Sequence, residues 1–290
     1  MRNTFLVALF IAGLLPSLVV ADELFVGTGD FTPGVSDNDA FIIDVPGGAA
    51  TSVAQINVWG AASNGSTVFL SSIDGASGSS VADNLWAYNV ASGGLTELGT
   101  VTGVGGAAIR LDGLAYSGGT LYGWNELASQ SDVAVGLYSI DLATLEATAA
   151  FIPSVGTNIG GIDADPSTGL IYGVDDGLRQ IVQLDLATQS VVSIADYSGN
   201  ETDIDGLAAG GGNLYLVADD PTPGLIEVFN LATGTFTGTI QSPFANADTF
   251  SGAAFITTAV PEPSSAICLM ALCGVIASRR KRRASSTPFC

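Results

Sequence analysis

The chain has no histidine, one lysine and three cysteines, all of them (Cys268, Cys273, Cys290) in the last 23 residues. Each absence excludes a chemistry. Without histidine, neither a Ser–His–Asp nor a Cys–His nucleophilic site can be assembled. The one lysine, Lys281, lies in the tail, so the body has no Walker lysine and no Schiff-base lysine. A His/Cys zinc site is equally out of reach. No disulfide can tie the body together, so its stability has to come from a buried core. Charged residues make up only 12% of the chain, but 47% is apolar and arrives in regular runs, which is the pattern of a folded domain.

Positive charge is scarce as well. Of the 8 basic residues, Arg2 stands at the start and Arg279, Arg280, Lys281, Arg282 and Arg283 near the end, leaving only Arg110 and Arg179 between. All 28 acids fall between Asp22 and Glu262, so two arginines against 28 acids leave residues 22–262, the body with the start of the tail, at −26. Such a body repels nucleic acid and anionic membrane, and attracts divalent cations.

The two ends read as targeting segments. Arg2 precedes an apolar run at residues 5–15 (FLVALFIAGLL), and Val19-Val20-Ala21 offers small residues for cleavage before Asp22. Residues 1–21 are therefore expected to be a signal peptide handled by the Sec machinery, the alternative being a retained anchor. At the other end, Pro261-Glu262-Pro263 is followed by an apolar helix candidate at 266–277 (AICLMALCGVIA) and then by the basic stop Arg279, Arg280, Lys281, Arg282, Arg283. The basic cluster would stay cytoplasmic and the acidic body outside. Twelve strongly apolar residues are short for a permanent span and suit a transient one; the alternative is an ordinary tail anchor.

This order of parts resembles the PEP-CTERM sorting signal. The resemblance covers only about 25 residues, within a sorting segment placed at 260–290. It implies processing near Pro261, Glu262 and Pro263 by an exosortase, with the inner membrane as a stage and the cell surface or extracellular matrix as the destination. The helix is short for the pattern, and Ala284 to Cys290 trail the basic cluster.

Between the two signals, residues 22–259 repeat themselves. One phrase appears as LWAYNVASGG (85–94), LYSIDLATLE (137–146), IVQLDLATQS (181–190) and IEVFNLATGT (226–235), with FIIDVPGG (41–48) a weaker copy. Aligning Asp44, Asn89, Asp141, Asp185 and Asn230 gives steps of 45, 52, 44 and 45 residues. Each phrase alternates side chains and ends in an Asp/Asn turn, as a hairpin does. A second phrase precedes it: GAASNGSTVFLSSID (60–74), DGLAYSGGTLYGWNE (112–126), GIDADPSTGLIYGVDD (161–176) and DGLAAGGGNLYLVADD (205–220). Its apolar strand carries Phe69, Tyr122, Tyr172 or Tyr215. Four short strands in about 47 residues match a propeller blade. Residues 24–27 (LFVG) and 251–255 (SGAAF) each supply one part of a further blade shared by the two ends of the body. The fold class expected is all-β, a five-bladed β-propeller with a helix in each terminal signal. Six blades are the alternative, with a degenerate unit at 74–110; a sandwich or solenoid remains open.

Asp112 and Asp205 should begin innermost strands, and Asp30, Asp74, Glu126, Asp175, Asp176, Asp219 and Asp220 should follow second strands; the likeness to propellers, whose loops at those two places usually open on one face, implies a carboxylate-rich rim there. The pairs Asp175-Asp176 and Asp219-Asp220 are candidate calcium ligands, since calcium takes oxygen. The alternative is that these acids start turns and keep the protein soluble. Asp112, Asp205, Trp124 and Glu126 are candidate ligand-site residues. The same carboxylates, with Asp163, leave one enzymatic class open, glycoside hydrolysis, which needs only two acids; the tryptophans could equally be blade-packing residues. The expectation is an exported surface or matrix protein with a binding or structural role, no cofactor beyond possible calcium, and polysaccharide or another surface protein as partner.

Overall fold

A computed structural model of the protein describes residues 19–29, 39–45, 49–72, 83–126, 131–153, 157–197, 204–218, 225–241 and 250–260. The expected terminal helices, the Pro261-Glu262-Pro263 motif, the 279–283 basic stop, Asp30, Asp74 and the pair Asp219-Asp220 lie outside the described residues. The chain divides into two compact units, Asp22–Thr257 and, separately, Met1–Ala21 with Thr258–Cys290. The first unit carries the repeats.

The strands run in the order the repeats foretell. The chain opens with β1 (Val19–Thr28), β2 (Asp39–Val45) and β3 (Ala50–Gln55). A complete blade follows in β4 (Gly60–Ser63), β5 (Thr67–Ser72), β6 (Asn84–Asn89) and β7 (Gly94–Thr100). After the short β8 (Thr102–Gly103), a 3-10 turn (Val104–Gly106) and β9 (Ala107–Ala108), the next blade is β10 (Gly113–Ser117), β11 (Thr120–Asn125), β12 (Gly136–Ile140) and β13 (Glu146–Phe151). Two more are β14 (Ile159–Ala164), β15 (Ile171–Asp175), β16 (Gln180–Asp185), β17 (Ser190–Asp196), and β18 (Gly206–Gly210), β19 (Asn213–Val217), β20 (Leu225–Asn230), β21 (Thr235–Gln241). The last strand, β22 (Phe250–Val260), then takes the inner place beside β1, giving the sheet order β22-β1-β2-β3. Five sheets result, and the last strand completes the first blade. No edge is left at the join.

The long repeat step has a physical source. The residues that make it 52 rather than 44 or 45 form β8 and β9, and β8 pairs in parallel with β13 on the outer edge of the third blade. Within the 74–110 stretch, residues 84–100 are β6 and β7 of the second blade and 102–108 are this addition to the third, so the blade count is five. The only helical element among the described residues is the 3-10 turn at Val104–Gly106.

The core lies between blades. The second strand of each blade is buried on both faces, so its side chains alternate between two neighbours. On β19, Leu214 and Leu216 pack toward the fourth blade, while Tyr215 and Val217 pack toward the first. On β1, Leu24 and Val26 face the fifth blade and Phe25 faces the second. Five apolar clusters result, one per junction. The recurring aromatics are the wedges of these junctions. Phe69 stacks on Tyr116 of the next blade with centroids 5.8 Å apart, and Tyr215 stacks on Phe255 of the closing strand at 5.8 Å.

Around the axis the inner strands approach too closely for side chains. A Cβ on Gly60 would lie 2.9 Å from the Gly113 carbonyl carbon, and one on Gly113 would lie 2.8 Å from the Ile162 nitrogen. One on Gly161 would lie 2.7 Å from the Asp205 carbonyl oxygen, and one on Gly252 3.4 Å from the Gly60 carbonyl carbon; at Gly206 the tight neighbour is Val217 of its own blade at 3.0 Å, with Ala253 Cβ of the next inner strand in ordinary contact at 3.6 Å. Each glycine faces the next inner strand in turn, and the fifth returns to the first.

Candidate functional site

The residue before each glycine of that ring faces the axis. Trp59, Asp112, Gly160, Asp205 and Ser251, one from each blade, line a single cavity, and Glu126 is its sixth wall. The cavity measures about 20 Å³, room for one water-sized occupant. Asp112 and Asp205 thus begin inner strands, Glu126 follows β11, and all three reach one place.

Trp124 does not join them. It is fully buried between the third and fourth blades, with Leu137, Ile162 and Val182. Tyr122 lies two residues earlier on β11, so both side chains leave the strand on the same face. The aromatic at the cavity is Trp59 instead. Arg110 lies over its ring, 4.7 Å from the centroid, and the Arg110 Nε–H donates to Asp112 Oδ1 at 2.6 Å. Asp112 Oδ2 accepts the Glu126 backbone N–H at 3.0 Å. Burial raises the Asp112 carboxyl above its ordinary range and outweighs the Arg110 charge and the donated N–H, which pull it down.

Asp175 and Asp176 are neighbours in sequence with separate tasks. Asp175 is 2% exposed, and its Oδ1 accepts the Leu178 N–H at 3.0 Å, holding its own turn. Asp176 reaches out of its blade: its Oδ1 accepts the Tyr197 hydroxyl at 2.9 Å and the Ile204 N–H at 3.1 Å. The other oxygen, Asp176 Oδ2, lies 2.9 Å from where a Cβ on Gly160 would be, with Ile204 O at 3.1 Å and Asp205 Oδ1 at 3.3 Å from the same point. Among the described residues, no group of three His, Cys, Asp or Glu side chains is arranged as a metal cluster.

Two buried acids play parts that the repeats do not announce. Asp163, on the inner strand β14, accepts the Ala209 N–H at 2.9 Å and the Phe255 N–H at 3.4 Å on Oδ2, and the Ala164 N–H at 2.8 Å on Oδ1. It knits three inner strands together and is absent from the axial cavity. Asp83 accepts the Leu111 N–H at 2.6 Å. Burial pushes both carboxyls well above the usual range, against the N–H groups that oppose it.

A larger cavity of about 310 Å³ opens where the inner strands end, with Asn64, Tyr116, Ser117, Asp165, Phe255 and Thr257 in its wall. No position in it was singled out by the repeats, because its polar groups sit in turns that vary from blade to blade.

Fold and tail together define a class: a five-bladed β-propeller with a C-terminal sorting signal. Residues 259–283 match the PEP-CTERM protein-sorting motif. That motif implies export, exosortase processing and sorting to the cell surface. No curated protein matches the chain. Among solved structures, a chain of the nidogen/laminin complex is similar at 13% identity and TM-score 0.51, covering 83% of this chain and 99% of that one. A structural genomics protein of unknown function from Bacteroides thetaiotaomicron is similar at 11% identity and TM-score 0.51, covering 81% and 71%. At such identities the likeness is one of fold. No helix among the described residues is long and apolar enough to cross a membrane.

Proposed function

We propose that the chain is made as a precursor, loses residues 1–21 on export, and is cut near Pro261-Glu262-Pro263 to leave a propeller at the cell surface or in the extracellular matrix. There it acts as a binding or structural module toward polysaccharide or another surface protein. The observation that carries this reading is the sorting motif at 259–283, which follows in sequence the strand that closes the propeller. The 310 Å³ cavity has Tyr116 and Phe255 in its wall beside Asn64, Ser117 and Asp165, a mixture of apolar and hydrogen-bonding groups of the kind a small ligand needs. Replacing Pro261, Glu262 and Pro263 by alanine should leave an uncleaved, membrane-retained form in the native host. Release of the triple variant at the normal rate would refute the sorting half. A glycan array and a surface-extract pull-down with the processed protein test the binding half, and silence in both would refute it.

Glycoside hydrolysis is the second reading, because Asp112, Glu126 and Asp205 share the axial cavity. It stands behind the first: about 20 Å³ cannot take a pyranose ring, and the aromatic expected beside Glu126 is turned into the core. Release of reducing sugar from surface polysaccharide, lost in Asp205→Asn, would reverse the order.

A further inference from the structure

We infer that the 310 Å³ cavity takes an amino sugar with a free amine, with Asp165 as the counter-ion of its ammonium group. This deepens the binding half of the proposed function and rests on it.

Four blades meet at this cavity. Ser63 and Asn64 come from the end of β4, Tyr116 and Ser117 from the end of β10, Asp165 from just after β14, and Phe255 from β22. Asp165 is the one charged residue among those in the wall. It is 3% exposed, and its own turn fixes it: Oδ1 accepts the N–H and the O–H of Ser167, both at 2.8 Å, and its backbone N–H donates to Leu170 O at 3.0 Å. Oδ2 accepts no hydrogen bond from any described residue. The basic residues among those described are Arg110 and Arg179. Arg110 precedes β10 and Arg179 follows β15, while Asp165 sits in the turn between β14 and β15, so both arginines belong to the opposite end of the blades. A carboxylate so covered, with no cation at its end of the strands, favours a positively charged ligand.

The other polar groups of the wall are neutral and offer both senses of hydrogen bond. Asn64 Oδ1 already accepts the Ser66 N–H at 3.1 Å, the Ser66 O–H at 3.0 Å and the Thr67 N–H at 2.9 Å, which leaves its amide N–H groups to donate. The Ser117 hydroxyl donates to Gly169 O at 2.7 Å and keeps lone pairs to accept. The Tyr116 hydroxyl is engaged by no described residue. A body carrying several hydroxyls matches this set. A lysine side chain presents a bare methylene stem below its ammonium and would leave these groups unmet. A cavity of 310 Å³ lies at the small end of ligand pockets, which run from roughly 300 to 1,000 Å³, and so suits one sugar unit. Anionic glycans are disfavoured by the −26 charge of residues 22–262, and the same charge draws cationic ones in.

The test is calorimetric titration of the processed protein, at slightly acidic pH and near-physiological salt, with glucosamine, glucose, N-acetylglucosamine and a lysine amide capped at its α-amine. Glucosamine should bind at least about tenfold more tightly than either neutral sugar. Asp165→Asn should erase that preference without weakening glucose. The variant should keep its Tm, because an amide oxygen can hold such a turn, as Asn89 does with Ser92 and Asn230 with Thr233. Asp141→Asn removes the same charge from an exposed turn outside the cavity and should change nothing. If Asp165→Asn fails to fold, the parent decides: glucosamine binding should fade as alkaline pH deprotonates the amine, with glucose unaffected, and indifference to pH overturns the inference. A preference undiminished by Asp165→Asn, or lowered equally by Asp141→Asn, is the acidic surface answering and overturns it too. Equal binding of all three sugars overturns the inference and leaves the binding reading standing; tighter binding of the lysine amide overturns it in favour of a protein partner. Silence toward all four ligands overturns it as well, and the binding reading is then decided separately by the glycan array and the pull-down.

Discussion

Gln189 occupies the left-handed region at φ 52, and it is exposed. The equivalent position of two other blades is glycine, Gly93 at φ 68 and Gly234 at φ 66. In both of those turns the glycine N–H donates to the carbonyl four residues back, of Asn89 and Asn230, at 2.9 Å. The Asp or Asn side chain that opens each turn accepts backbone N–H groups two or three residues on, as Asp185 does from Ala187 and Thr188. A non-glycine residue there is strained by its Cβ. Gln189→Gly should therefore stabilise the protein by about 0.5–1 kcal/mol, seen as a higher urea midpoint with unchanged slope. Arg110 is the opposite case. It is 6% exposed, and removing it leaves Asp112 buried without its partner. Arg110→Ala should cost about 3 kcal/mol in the same urea titration.

At the scale of the strand, the glycine ring sets what an inner position tolerates. A Cβ on Gly161 would meet backbone on three sides, Asp205 O at 2.7 Å, Leu207 N at 2.8 Å and Gly206 C at 3.0 Å. Gly161→Ala should cost about 1–3 kcal/mol through forced backbone movement. Gly238, on the outer strand β21, has nothing within 4 Å of its Cβ position, so Gly238→Ala should be neutral or mildly stabilising. Paired thermal melts check both. The blades are legible in the sequence because second strands buried on both faces must be apolar, with an aromatic wedge at a fixed place. Asp112 and Asp205 stand out because two blades share Asp-Gly at the start of the inner strand. Trp59, Gly160 and Ser251 share no chemistry with them, and only alignment on the glycine that follows each brings the five together. Trp124 looks like a site residue beside Glu126, although its parity with Tyr122 assigns it to the core. Asp83 looks like an ordinary turn acid in sequence and Asp163 like a candidate site acid, because burial depends on which blade covers them. The 3-10 turn between β8 and β9 is hidden because its strands are two residues each.

For the whole molecule, charge decides how stability follows pH. Asp83, Asp112 and Asp163 have folded values raised by burial. A raised carboxyl binds its proton more tightly in the folded chain. Its favourable contribution is full below the unfolded value of about 3.9 and is lost as pH rises through the folded value. The −26 body acts in the same direction, because its self-repulsion grows as acids ionise. Among the described residues Asp185 is the one shifted acid that runs the other way: its carboxyl is lowered by Thr188, so its contribution is lost as pH falls through that lowered value, and it is fully exposed to screening. Three buried acids and the body charge outweigh it. Tm in metal-free buffer should climb as pH is taken from 8 to 5. The two causes separate experimentally. Monovalent salt screens surface repulsion and not a buried carboxyl, so raising salt at pH 8 should recover only part of the climb. Asp163→Asn removes one buried titration while keeping an oxygen for the Ala209 and Phe255 N–H groups, and should flatten the remainder. A Tm that falls steadily from pH 8 to 5 would mean that these carboxyls are ionised in the folded protein, and that the N–H groups facing them outweigh their burial.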